Sequence, residues 1–409
     1  MKKIKVILKK FGLTRGVLAV SIARMGDGVG NGILILVFPL YVAQVPVSWL
    51  HVPESVRVGL LISLFGIASS VLQLFTGALT DRSGKQKLII IAGLSLFGLS
   101  TLFLTVAKTY EVLLLIRLFQ GVGFALTIPA SVSLLTLASR QKERGRSMGF
   151  YTTLRVLGIS TGPLLGGLTY MYLGFSPAFL ISAGFIFLGV LTVIIWVRNI
   201  SDPLLEKESR PFRVFERGLF TSGILGLGFA TFTMACSFSM IITLEKQFNS
   251  RLNETAFAFG TAVSALMLSR IILQLPLGWL SDKVGRKIII ISGLLLMVPA
   301  TYILGIVDTT LQLAIVRIIQ GAGSAAIAAP AFALAGDLSK SGGRGRQMSV
   351  LTIGFGFGVA MGPLLTGFLV LPFFQLPFIT FAGLLLLSAW VVYHFVPETV
   401  KKEPGKSGN

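Results

Sequence analysis

At 409 residues, with 54% of them apolar, only 13% charged and a mean hydropathy of +0.84, the chain does not fit a water-soluble protein of two or three domains. Apolar stretches of ~20 residues or more recur along its whole length, which excludes a single anchor on a soluble body and a barrel of alternating ~10-residue strands. The net charge of +20 would suit a nucleic-acid binder only if the basic residues clustered on one soluble face.

Residues 1–10 have the basic start of a signal peptide, but Lys9 and Lys10 interrupt the apolar part and no small-residue cleavage site follows. They read as a retained cytoplasmic lead-in. Breaking the chain at charges and at Gly, Pro and Asn clusters predicts membrane-spanning helices at 17–43, 57–80, 88–107, 112–138, 148–171 and 177–197. Six more are predicted at 219–244, 254–280, 288–307, 311–338, 348–371 and 375–396. Twelve spans place both termini on the same side.

With the termini inside, the bulk of the 36 Lys and Arg residues falls in cytoplasmic segments, and the outer connections hold only Lys108, Lys246 and Arg251. Arg24, Arg57, Arg117, Arg155, Arg270 and Arg317 lie within spans or at their margins. This skew orients the chain with both termini cytoplasmic and assigns its basicity to anionic lipid headgroups, not to nucleic acid. The single cysteine, Cys236, excludes an internal disulfide, and no Cys/His cluster is available for zinc, so neither metal nor cofactor is expected.

The chain repeats itself. A shift of 200 residues superposes Arg117, Gln120, Gly121 and Gly123 on Arg317, Gln320, Gly321 and Gly323, and Gly158, Gly162, Pro163 and Gly167 on Gly358, Gly362, Pro363 and Gly367. A shift of 201 places Gly77, Leu79, Asp81 and Gly84 on Gly278, Leu280, Asp282 and Gly285. Such coincidence predicts two similar six-helix bundles, 1–197 and 219–409, joined by a charged cytoplasmic linker at 198–218 and related by an axis along the membrane normal.

Three signatures stand out. The loop after the second span reads Gly77-x-Leu79-x-Asp81-Arg82-x-Gly84-Lys85, echoed by Gly278-x-Leu280-x-Asp282-Lys283-x-Gly285-Arg286-Lys287. Span 4 holds Arg117-x-x-Gln120-Gly121 and span 10 the copy Arg317-x-x-Gln320-Gly321. Span 5 holds Gly158-x-x-x-Gly162-Pro163-x-x-Gly166-Gly167, whose four-residue spacing forms a stripe that admits a close helix neighbour. In span 11 Thr366 replaces one of these glycines.

With these motifs the sequence resembles the major facilitator superfamily of secondary transporters, and within it the drug:proton antiporter branch, over nearly the whole chain. The first copy of the loop departs from the family pattern, with Lys85 for the usual arginine and Gln86 for a second base. The resemblance implies a latch role for the two loops, a part in proton coupling for Arg117, and antiport for the span 5 motif. The near copy in span 11 equally suits a packing device at the seam. Physically, Asp81 and Asp282 end helices whose dipoles repel a negative charge, so each needs a compensating partner, and the N-termini of spans 11 and 5 are available for that.

One acid is expected near the middle of a span: Asp27, within Arg24-Met25-Gly26-Asp27-Gly28-Val29-Gly30-Asn31-Gly32. At ~1.5 Å per residue it lies about 15 Å from the cytoplasmic end. Such an acid either takes up and releases a proton during transport or stays ion-paired with Arg24 on the same helix face. Arg24, Arg155 and Arg270 fall at comparable depth; with Asn31 they are candidate substrate-binding residues, and three guanidiniums facing one carboxylate would favour an anionic group. The bland alternative pairs, snorkels and caps them separately. Glu245 and Glu254, bordering spans 7 and 8, read as solvated loop charges.

The expectation is an all-α membrane protein of twelve transmembrane helices in the major facilitator fold, a multi-pass monomer of the cell membrane surrounded by lipid. It would work by alternating access around spans 1, 4, 7 and 10 and exchange protons for a small amphipathic or drug-like substrate. No phosphate-cradling loop is present, so a gradient supplies the energy. A proton-coupled carrier of organic anions or lipids, a proton-independent uniporter and a transporter-like receptor remain as alternatives.

Overall fold

The computed structural model describes residues 14–139, 144–197, 221–338 and 344–399. The first half folds as α1 (Arg15–Val42), α2 (Glu54–Ser83), α3 (Gln86–Phe103), α4 (Tyr110–Ala138), α5 (Arg144–Leu173) and α6 (Phe175–Trp196). The second folds as α7 (Ser222–Ser239), a 3-10 segment (Met240–Leu244), α8 (Glu245–Leu252), α9 (Ala256–Val284), α10 (Arg286–Ile303), α11 (Thr310–Leu338), α12 (Arg344–Leu369) and α13 (Leu376–Phe395). Among the described residues there is no strand, and twelve helical stretches are long and apolar enough to cross a membrane. The expected linker at 198–218 and the basic lead-in lie outside the described residues.

The helices are built for lipid. In α6, Leu180, Leu188, Leu191 and Ile195 face outward while Ala183, Ile186, Gly189 and Val193 are buried. An apolar outer face satisfies the bilayer on one side, while the small residues Ala183 and Gly189 permit close packing on the other. Both halves start on a threonine cap: the Thr14 hydroxyl accepts from the Val17 amide at 3.2 Å, and that of Thr221 from the Ile224 amide at 3.4 Å.

The seventh span extends past its expected end at 244. The polar run Glu245-Lys246-Gln247 has loop composition, yet it continues the helix through the 3-10 segment to Leu252 and stops at Asn253, in left-handed conformation at φ 51°. The signature loops are also more helical than expected. Asp81 and Arg82 belong to the last turn of α2, and the reversals fall on Gly84 and Gly285, whose φ values of 60° and 121° suit glycine.

Two compact units result. One comprises Met1–Val52, Leu64–Phe212 and Thr255–Gly260, the other Pro53–Ser63, Arg213–Glu254 and Thr261–Asn409. The start of α2 therefore belongs with the second unit, where the Ser55 hydroxyl donates to the Gly367 carbonyl at 2.8 Å and that of Ser63 to the Ala360 carbonyl. Within the first unit α1 packs most extensively on α5, and within the second α7 packs on α12. Gly158 and Gly162 turn their bare backbones to Met25, Val29 and Gly32, and Gly358 and Gly362 turn theirs to Phe232 and Cys236. Both copies of the glycine motif are thus packing seams. Gly166 lies against Ile33 on the same seam.

The Glu111 carboxylate, at the start of α4, accepts from the amides of Ser48, Trp49 and Leu50 at 2.9, 3.0 and 3.2 Å, and so organises the connection between α1 and α2. Glu111→Ala is expected to lower the thermal midpoint and to open residues 44–52 to protease, whereas Glu111→Gln, which retains one carbonyl acceptor, should lie between it and wild type. Limited proteolysis of the purified protein checks this.

Candidate functional site

A buried charge cluster inside the first unit sits where α1, α4 and α5 converge. Arg24 and Asp27, three residues apart and so on one face of α1, are each 1% exposed and form an ion pair through Arg24 Nη1 and Asp27 Oδ2. The same Nη1 donates to the Thr127 hydroxyl of α4 at 3.2 Å, and the guanidinium lies 5.0 Å from the centre of the Phe124 ring. From α5, Tyr151 faces Arg24, and Arg155, one turn later, acts on both Asp27 and Arg24. One carboxylate therefore meets two guanidiniums, and the cluster carries a net positive charge while Asp27 is ionised.

The cluster is incompletely satisfied. Asp27 Oδ1, Arg24 Nε and Nη2, and Arg155 Nε are buried without a hydrogen-bond partner. Asn31, one turn beyond Asp27, is half-buried with its Oδ1 likewise unpartnered. Unpaired buried polar atoms are costly, so a cluster holding several is suited to accept another polar group or a proton. Arg270 belongs to the second unit, where its guanidinium lies 5.4 Å from the Phe355 ring centre and 6.0 Å from that of Phe238. The sequence indicated Arg24, Asp27 and Arg155, but not Tyr151, Thr127 or Phe124.

The Arg-x-x-Gln copies have nearly equivalent surroundings. Arg117 Nη1 donates to Gln120 Oε1 at 3.0 Å, and Gln120 Nε2 donates to the Thr101 hydroxyl at 3.0 Å. In the second unit Arg317 Nη1 reaches Gln320 Oε1 at 2.8 Å and Gln320 Nε2 the Thr301 hydroxyl at 3.1 Å. Arg117 lies against two rings, 4.8 Å from Phe38 and 4.3 Å from Phe65, whereas Arg317 donates to the Phe238 carbonyl at 3.0 Å. The charges that act on Asp27 are those of Arg24 and Arg155.

The second signature loop is closed within its own half. Arg286 Nε and Nη2 donate to Asp282 Oδ1 at 3.0 and 2.9 Å, and its Nη1 pairs with Asp337. Glu398 accepts from the backbone amides of Arg286 and Lys287 at 3.2 and 2.9 Å, capping α10 where its dipole favours an anion. In this conformation a neighbouring arginine thus compensates Asp282. In the first copy Arg82 is exposed, and the Asp81 side chain lies outside the described residues.

The first glycine of each signature loop is uncrowded: a Cβ at Gly278 would meet nothing within 4 Å, and one at Gly77 only Pro129 at 3.9 Å. Gly278→Ala is expected to leave the thermal midpoint unchanged. Loss of transport in that stable variant would show that the glycine is needed in a different conformation.

Twelve apolar helices in two repeats, with a buried charge cluster inside the first, define a polytopic membrane transporter. The chain belongs to the Major Facilitator Superfamily, whose family model matches residues 20–227 and 224–409. It is 26% identical over 375 residues to the multidrug resistance protein MdtG of Escherichia coli O9:H4 (strain HS), covering 88% of this chain and 90% of that one. To the multi-drug resistance efflux pump PmrA of Streptococcus pneumoniae serotype 4 (strain ATCC BAA-334 / TIGR4) it is 25% identical over 345 residues, covering 82% and 84%. A bacterial homologue of the human lysosomal transporter Spinster, inward-facing and unoccupied, shares the fold with a TM-score of 0.76 at 16% identity, over 92% of this chain and 95% of that one. The protein is a transporter of this superfamily, not an enzyme.

Proposed function

We propose that this transporter exports small amphipathic or drug-like molecules in exchange for protons, by alternating access, with Asp27 as the proton carrier. The observation that carries the reading is the buried Asp27 carboxyl, held by Arg24 through one oxygen while the other is unpartnered. Protonation of Asp27 would remove the charge that holds Arg24 and leave two guanidiniums opposed across α1 and α5. That repulsion gives the proton a means of changing the α1–α4–α5 contacts, and substrate could do the reverse by supplying a polar or anionic group. The description of PmrA as an efflux pump supports the direction of transport. Arg117 takes part in proton coupling as the modulator or gate of Asp27, with Arg24, Asn31, Arg155 and Arg270 as substrate contacts and the two signature loops as latches. The protein acts as a monomer in the cell membrane, with both termini cytoplasmic because its basic segments lie on that side.

A second reading is a proton-coupled carrier of organic anions or lipids, favoured by the two guanidiniums set against one carboxylate. Vesicles loaded with a trapped pH dye decide between them when a panel of lipophilic cations and amphipathic anions is added. Proton movement driven by cations supports drug efflux, movement driven by anions supports the second reading, and tracer uptake without proton movement overturns both.

A further inference from the structure

Glu245 is the buried acid that this exchange leaves unused. It is the first residue of α8, directly after the 3-10 segment, and its side chain is 0% exposed, which overturns its reading as a solvated loop charge. Both carboxylate oxygens are buried without a hydrogen bond of ordinary geometry. Asn249, one turn on, is the polar side chain turned towards it.

The cations of the same helix are committed elsewhere. Lys246 gives its Nζ to Glu54 at 2.9 Å, and Arg251 binds Asp308 at 3.0 Å and the Gly305 carbonyl at 2.9 Å. Arg57, on the segment that carries Glu54, does not act on the Glu245 carboxyl. The 3-10 segment has no titratable side chain, and α12, which packs on it and receives the Thr243 hydroxyl bond at the Pro363 carbonyl (3.0 Å), has none between Met348 and Leu369. Glu254 is exposed in the following turn. Among the described residues an ionised carboxylate here would have no ion-pair partner and only the Asn249 amide as a donor, whereas the neutral acid needs far less.

We propose that Glu245 is a proton-binding site: it is a neutral carboxylic acid in this conformation and ionises only when water reaches it beside the 3-10 segment. The proposal requires no substrate and no gradient, so it stands or falls apart from the role of Asp27. A 3-10 break inside a long span is where such opening is cheapest, because its hydrogen bonds are the poorest in the helix.

Infrared spectroscopy of the purified full-length protein at neutral pH provides the test, through the C=O stretch of a protonated carboxyl and its shift in deuterated buffer. The wild type is expected to show this band, Glu245→Gln to lose it and Asp27→Asn to retain it. Glu245→Asp and Asn249→Ala should displace the band without abolishing it, which keeps the test valid if Glu245→Gln folds poorly. An unchanged band in Glu245→Gln, or no such band in the wild type, overturns the proposal. A second readout is independent of spectroscopy. Because the folded state would hold a proton that the exposed carboxylate releases, wild-type stability should fall as pH rises, while Glu245→Gln, neutral at every pH, should lack that fall.

Discussion

Vesicles carrying Asp27→Asn are expected to show no proton movement above that of empty vesicles when substrate is added, whichever ligand class drives the wild type. Asparagine preserves the volume and one acceptor but carries neither the charge nor a titratable proton. The variant also leaves Arg24 uncompensated in a buried site, which costs about 3–5 kcal/mol when one partner of such a pair is removed. Stability must therefore be separated from coupling. Replacing both partners, Arg24→Met with Asp27→Leu, removes the orphaned charge and should recover most of the thermal midpoint without recovering proton movement. If the double variant regained both, Asp27 would be a structural acid and the exchange would draw its proton elsewhere. Substrate-driven proton movement persisting in Asp27→Asn would likewise remove Asp27 from the cycle.

The parts of this site legible in the sequence are those on a single helix. Arg24 and Asp27 are three residues apart, so helical spacing alone puts them on one face, and a charge inside an apolar span attracts attention. Thr127, Phe124 and Tyr151 reach Arg24 from two other helices and are residue types that spans contain throughout. Nothing in their spacing sets them apart. The duplicated Arg-x-x-Gln motifs lie between these cases. Gln120 and Gln320 are marked by their Arg-x-x-Gln spacing, whereas Thr101 and Thr301, which complete each network, belong to no motif although they obey the same 200-residue shift. Polar matches at a repeat offset therefore carry information even for a residue as ordinary as threonine.

Glu245 illustrates the opposite failure. Its neighbours Lys246, Gln247, Asn249 and Arg251 have the composition of a connection, and composition is the signal by which span ends are placed. Burial is decided instead by what packs over the segment. Likewise Asp282, set against its helix dipole, needs a partner, but Arg286, four residues on across a glycine reversal, meets that need locally. The Glu398 cap on α10 joins residues more than a hundred positions apart and left no trace in the sequence pattern.

The glycine seams should show the largest effect on folding. A Cβ at Gly162 would stand 2.5 Å from the Gly32 Cα and 2.7 Å from the Val29 carbonyl oxygen, and one at Gly362 would stand 2.6 Å from the Cys236 carbonyl oxygen. These are backbone atoms of a facing helix, so relief requires the helices to separate, not a rotamer to turn. Gly162→Val and Gly362→Val are each expected to lose at least ~1–3 kcal/mol, the ordinary cost of overpacking, and to aggregate at much lower temperature in detergent. Gly149→Ala and Gly383→Ala, where a Cβ would meet nothing within 4 Å, should leave the midpoint unchanged. The smaller change Gly162→Ala then separates packing from antiport. Equal losses of stability in Gly162→Ala and Gly362→Ala, with transport falling in proportion, would make both copies seams. Transport lost in Gly162→Ala beyond its loss of stability, but not in Gly362→Ala, would place the α1–α5 contact, which also carries Asp27 and Arg155, in the moving part of the cycle.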